Sequence, residues 1–133
     1  MGNSLPRIFR YELPGSWTVL AGATDDDNDE LSLRIAVPED WWFHAENVPG
    51  SHVVLKAKAD EDPSRDTLRQ AAAVAAYHSK ARAAGTVRVH CTRARYVKKS
   101  RGAKAGTVEV RHGTVLRVRP DVSFARRVWS GAK

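Results

Sequence analysis

A single cysteine, Cys91, in a chain of 133 residues rules out an internal disulfide and any paired-cysteine zinc element. There is also no apolar run approaching the roughly 18 residues that a membrane-spanning helix requires. The opening MGNSLPRIFR has no apolar core of a secretory signal, and Pro6 stands where a myristoylation pattern wants serine or threonine. A reducing cytoplasm is therefore the expected location, with no membrane partner. Internal repeats, a domain-splitting linker and a carboxylate cluster of the two-metal nuclease kind are all missing. Length and composition fit one domain over residues 1–133, with its core at about 8–120 and a basic tail at 121–133.

The most telling scarcity is of negative charge. No Asp or Glu lies between Asp66 and Glu109, whereas Arg69, Lys80, Arg82, Arg88, Arg93, Arg95, Lys98, Lys99, Arg101 and Lys104 all do. The formal net charge is +7. Residues 1–63 hold 5 basic and 12 acidic side chains and residues 64–133 hold 17 and 3, so the halves carry −7 and +14. A polyanion is the natural partner, the alternative being a merely solubilising basic surface.

The hydrophobic pattern predicts an α+β fold, a largely antiparallel sheet with one long alanine-rich helix and a short helix. Alternation in Arg7–Tyr11 and Trp17–Leu20 about Pro14-Gly15 predicts a hairpin. The run DDDNDE at 25–30 reads as a loop from which Asn28 or Asp29 caps a short helix ended by Pro38. Trp41–Ala45 and Ser51–Ala57 read as strands about a compact Pro49-Gly50 turn, with Trp41, Phe43 and Ala45 on one face and Trp42, His44 and Glu46 on the other. Asp62 as cap, Pro63 as first residue and Gly85 as stop would bound the long helix, with Leu68, Ala71, Ala72, Ala75 and Ala76 as its apolar stripe. Val87–Val97 alternates as one strand, and Thr107–Arg111 with Thr114–Arg119 would close a hairpin about His112-Gly113. The tail with Arg126, Arg127 and Trp129 reads as poorly ordered or as folding on a partner.

Three groups of residues carry candidate chemistry. KKSRGAKAG at 98–106 places Lys98, Lys99, Arg101 and Lys104 on a glycine-bearing loop suited to a sugar-phosphate backbone; the plain alternative is a solvated hairpin tip. Gly50, Ser51 and His52 follow a turn whose amides could cup a phosphate or ribose, unless Ser51 serves only its own backbone. Trp42 and His44 could shape the site or stack on an unpaired base, although at least one of Trp41 and Trp42 belongs in a core. Arg93 and Arg95, two apart on one strand, would extend the positive track. His44 and His52 also admit an acid–base ribonuclease, but no third group orients them and their spacing matches no metal pattern. Cys91 is read as a small buried residue.

Asp40, Trp42, Phe43, His44, Ala45, Pro49, Gly50, Ser51, His52, Val53 and Val54 stand in the order of the central motif of the NFACT-R domain. AAAVAAYHSKAR and the loop Val97–Gly106 also resemble that family, so the resemblance covers about Ile8 to Pro120. It implies an α+β module without catalysis or cofactor of its own, whose partners are tRNA and the large ribosomal subunit. Members of the family are parts of larger ribosome quality-control factors or related stand-alone proteins, and this chain resembles the stand-alone kind, which would act in translation quality control as a compact RNA adaptor or by recruiting other proteins. Gly22-Ala23-Thr24 and the aspartates after it replace a basic arm common in the family, so that segment is expected off the RNA path or in another contact. We therefore expect a non-catalytic binder of structured RNA, tRNA or rRNA, using Trp42, His44, Gly50, Ser51, His52, Arg93, Arg95, Lys98, Lys99, Arg101 and Lys104. Duplex DNA remains a rival ligand, and oligomeric state is left open.

Overall fold

A computed structural model describes residues 6–128. Strands β1 (Ile8–Leu13) and β2 (Trp17–Gly22) pair antiparallel across a turn in which Gly15 and Ser16 take positive φ. Alternation directs Tyr11, Leu13, Trp17, Val19 and Ala21 into the main core.

The acidic run is a helix and not a loop. α1 (Asp25–Glu30) is capped by Thr24, whose hydroxyl accepts from the Asp27 amide at 3.2 Å while the Asp27 carboxylate accepts from the Thr24 amide at 3.0 Å. This reciprocal box satisfies orphan amides at the helix start. Three aspartates in that first turn also lie favourably against the positive end of the helix dipole. A π-helical turn, Leu31–Ile35, continues it and ends before Pro38.

β3 (Trp41–Ala45) and β4 (Val53–Leu55) pair antiparallel, with Trp41 opposite Leu55 and Phe43 opposite Val53. Residues 46–52 join them by an excursion wider than the compact turn expected. Asn47 takes the positive φ there, and Gly50 bridges to Ser79.

α2 (Arg65–Tyr77) spans 13 residues, shorter than the sequence pattern suggested. Its cap is Ser64 and not Asp62: the Ser64 hydroxyl accepts from the Thr67 amide at 3.1 Å. At the other end the Ser51 amide donates to His78 O and the Lys80 amide to Pro49 O, both at 2.9 Å. Tertiary pairing thus takes the chain out of the helix well before Gly85.

β5 (Val87–Arg93) also stops early, in a 3-10 turn at Ala94–Tyr96. β6 (Val97–Lys98) and β7 (Glu109–Val110) form a separate two-stranded ribbon, and β8 (Thr114–Val118) pairs with β5. The closing hairpin predicted about His112-Gly113 therefore does not form. Both residues take positive φ and carry the chain from ribbon to sheet. β9 (Arg126–Val128), in the segment read as a tail, adds to β1; Trp129 lies outside the described residues.

The result is a seven-stranded antiparallel sheet in the order β8-β5-β3-β4-β2-β1-β9. α2 covers one face, its fully buried Ala71, Ala72, Val74, Ala75 and Ala76 allowing close approach to Phe43, Val53, Leu55 and Val89. On the other face Leu31, Trp42, Val54 and Val97 form a second, smaller core with Val108 and Val110 of the ribbon segment. The two faces of β3 are thereby assigned as its alternation required. No described helix is long and apolar enough to cross a membrane.

Candidate nucleic-acid interface

Strand alternation aims Trp42 and His44 away from α2 and under the ribbon. Trp42 is only 3% exposed, which places it in the second core and leaves little of its ring for a base. Its indole N–H donates to the Ser32 hydroxyl at 2.9 Å, and that hydroxyl lies 2.7 Å from His52 Nδ1. Gly106 O, 3.0 Å from His52 Nε2, can only accept, so the neutral ring carries its proton on Nε2 and donates it there. Its bare Nδ1 then accepts from the Ser32 hydroxyl. Burial, helped by neighbouring His44, pushes the His52 pKa down to about 4, so the imidazole is neutral near pH 7. Both its nitrogens are occupied, and it ties the base of the basic loop to the sheet.

A second tie comes from the acidic helix. Asp29 accepts from the Gly106 amide at 3.1 Å through one oxygen and pairs with Lys99 Nζ at 3.0 Å through the other. Lys99 also donates to Lys104 O and Thr107 O. Lys99 thus lies inside the loop as its staple, while Lys98, Arg101 and Lys104 are exposed and have no carboxylate partner among the described residues. Gly106 takes φ +82°, and a Cβ there would stand 2.8 Å from the Asp25 carboxylate. Only glycine lets the loop sit this close to α1.

Between ribbon and sheet lies a cavity of about 460 Å³ lined by His44, His52, His90, Asn47, Thr107 and Val108, with Trp42, Glu46 and Val110 also on its wall. His44 is half-buried and stacks on Trp42, ring centroids 6.0 Å apart and planes 14° from parallel. Burial lowers its pKa, opposed by backbone of Ala45 and Gly50. His90 faces His44 across the β3–β5 ladder and bonds His112 O at 2.8 Å. Glu46 pairs with Arg88 at 3.0 Å. The cavity offers half-buried rings, one amide side chain and a carboxylate, beside three unpaired cations.

The remaining candidate residues lie elsewhere. Ser51 spends its hydroxyl on Gly22 O at 2.6 Å and its amide on His78 O, so the expected cup of free donors is not presented there. Gly50 does not take a positive φ; glycine is required because a Cβ would meet that of Ser79 at 2.9 Å. Gly50 and Ser51 border a different groove, next to Ser79 and Lys80. Arg93 and Arg95 do not share a strand face, since Arg95 belongs to the 3-10 turn. Arg93 lies over Trp41 at 3.8 Å and donates to Glu39 O, and Arg95 approaches the Glu39 carboxylate at 3.9 Å.

Sequence reasoning passed over Asp29, Ser32, Asn47 and His90. His90 had a signal, lying on the polar face of its strand, but only strand register places it opposite His44. No group of three His, Cys, Asp or Glu side chains among the described residues is arranged to hold a metal ion.

A profile of the family described as NFACT protein RNA binding domain matches residues 7–112. The chain is 38% identical over 116 residues to the Rqc2 homolog RqcH of Bacillus subtilis, covering 87% of this chain and 20% of that protein. It is 41% identical over 106 residues to the Rqc2 homolog RqcH of Streptococcus suis, covering 80% and 19%. The solved C-terminal part of the fibronectin/fibrinogen-binding protein from Streptococcus suis superposes with a TM-score of 0.80 at 37% identity, over 91% of this chain and 47% of that one. The chain therefore spans about a fifth of the length of the curated relatives it matches.

Proposed function

This chain belongs to the NFACT protein RNA-binding domain family, and from that premise we propose that it is a non-catalytic module for structured RNA, tRNA or rRNA, working at the large ribosomal subunit. The observation that carries this reading is the basic loop: Lys98, Arg101 and Lys104 are exposed and make no ion pair among the described residues, while Lys99–Asp29 and His52–Gly106 anchor its base. An anchored cationic loop grips backbone with less ordering cost than a free one. Phosphate contacts position an RNA without reading its sequence, so selectivity would come from RNA shape. The adjoining cavity, with His44, His90 and Asn47, is large enough for an unpaired base or a ribose. By its relatives' name, Rqc2 homolog, the wider setting is ribosome quality control.

The test is a salt titration of binding to tRNA and to duplex DNA of equal length, for the wild type and for Lys98→Ala/Arg101→Ala/Lys104→Ala. Tighter binding to tRNA is expected, with a log–log salt slope shallower by about 2 to 3 in the variant, at roughly 0.7–0.9 per phosphate contact. Equal affinity for both ligands, or a variant that binds like the wild type, would overturn the proposal. Ribonuclease chemistry is disfavoured because His52 has no free nitrogen for proton transfer. Labelled tRNA should stay intact under saturating protein, with or without chelator.

A further inference from the structure

The sheet edge formed by β1 and β9 carries a second concentration of cations that the proposal above does not use. Beyond the end of α2, Arg82 lies over the Tyr77 ring at 3.9 Å and donates to its hydroxyl. Arg127 of β9 lies over Phe9 at 4.7 Å, and Phe9 stacks on His78 with centroids 5.0 Å apart. Tyr11, opposite Arg127 in the β1–β9 register, bonds His78 Nε2 at 2.8 Å.

The two guanidiniums, far apart in sequence, thus converge on one imidazole. Burial, then Arg82 and Arg127, push the pKa of His78 down to about 4, so it stays neutral beneath them. Arg126, their neighbour, has a counter-charge in Glu12 at 3.0 Å. Arg82 and Arg127 have no carboxylate partner among the described residues. Each charge reaches the same ring, and an anion bound beside that ring would be attracted by both. The ring faces fix the guanidinium planes; Arg82 gives one N–H to the Tyr77 hydroxyl, and its other N–H groups and those of Arg127 suit a tetrahedral oxyanion.

Next to His78 runs an open groove of about 310 Å³ bordered by Ser51, Ser79 and Lys80, with Thr24, Asp25 and Asn28 on its far wall. Its polar lining suits sugar hydroxyls, and the Asp25 carboxylate would accept from a 2′-hydroxyl.

We infer that this edge is a second RNA contact, in which one phosphodiester is held between Arg82 and Arg127 and the adjoining ribose lies in the groove beside Lys80. It rests on the RNA-binding proposal and adds a separate place of contact for a single-stranded segment. Gly50 and Ser51 border this groove and shape it through their backbone contacts to His78 and Ser79.

The experiment measures fluorescence anisotropy with a stem-loop RNA bearing a single-stranded extension, the same stem-loop without it, and polyglutamate. Arg82→Gln/Arg127→Gln keeps a side chain to cover each ring while removing both charges, and each single substitution is measured as well in case the pair unfolds. Expected is at least a tenfold loss on the extended RNA, little change on the bare stem-loop, and a salt slope shallower by about 1.4 to 1.8 for two contacts. If these variants bind extended RNA like the wild type while the Lys98/Arg101/Lys104 variant does not, the second contact is overturned and the basic-loop reading stands. If the wild type binds no RNA, both fall. If the substitutions abolish polyglutamate binding and spare RNA, the edge is a peptide site and the inference is overturned.

Discussion

Asp40 shows how one side chain can hold a site it does not enter. It is fully buried, accepts from the amides of Val37 at 2.9 Å and Ala57 at 2.8 Å, and pairs with Lys56. Asp40→Ala strips three donors of their acceptor, and breaking a buried pair typically costs about 3–5 kcal/mol. The expected result is a lower urea midpoint at unchanged m-value. His52 supplies a pH signature. Its folded pKa, about 4, is below the unfolded value of 6.5, so between these the unfolded state binds the extra proton. Stability is therefore undiminished by this group above pH 6.5 and falls as pH drops towards 4, with a limiting slope of about 1.4 kcal/mol per unit. Urea titrations across pH 4–7 check this, and His52→Gln should remove that share of the slope and leave the share from His78, whose pKa is likewise about 4. Burial of Cys91, whose thiol is pushed up to about 12, follows from strand alternation visible in the sequence. The locked tautomer of His52 does not, because Ser32 and Gly106 come from other elements.

At the scale of elements, the informative failures concern where helices stop. An alanine-rich run continues past Tyr77, yet the bridge between Gly50 and Ser79 captures the chain there. Intrinsic propensity is worth tenths of a kcal/mol per residue, and a tertiary pairing outweighs it. Gly50→Ala should therefore destabilise the protein, since the new Cβ would stand 3.1 Å from the Ser79 Cα as well as 2.9 Å from its Cβ. A lower thermal midpoint is expected. Thr24→Ala, which removes one arm of the capping box of α1, should cost about 1 kcal/mol, read by urea denaturation.

Across the whole molecule, folding interleaves what the sequence segregates. The acidic first half meets the basic second half in Asp29–Lys99, Glu46–Arg88 and Glu12–Arg126. Net charge alone is consequently a poor guide to where a polyanion would bind. Asp29→Asn separates the two views. It raises the net charge by one, so a purely electrostatic account expects tighter RNA binding. The structure expects weaker binding, because Lys99 loses its carboxylate partner and the asparagine keeps a single accepting oxygen for the Gly106 amide, which loosens the base of the basic loop. Affinity for tRNA at fixed ionic strength decides between them.

What the sequence determined by itself was local or compositional: the α+β class, the faces of β3, the alanine face of α2, the run of cations at 98–104, and the motif order that marks the family. Each depends on residues a few positions apart or on simple counts, and side-chain periods of 2 and 3.6 translate directly into faces. The tertiary structure decided which of the marked residues share a place. It put Trp42 in a core, turned Lys99 inward, moved Gly50 and Ser51 to another groove, brought His90 to the cavity, and set Ser32 against His52 and Asp29 against Lys99 and Gly106. The reason is that strand order and register join residues distant in sequence, and no local period encodes which strand will be the neighbour.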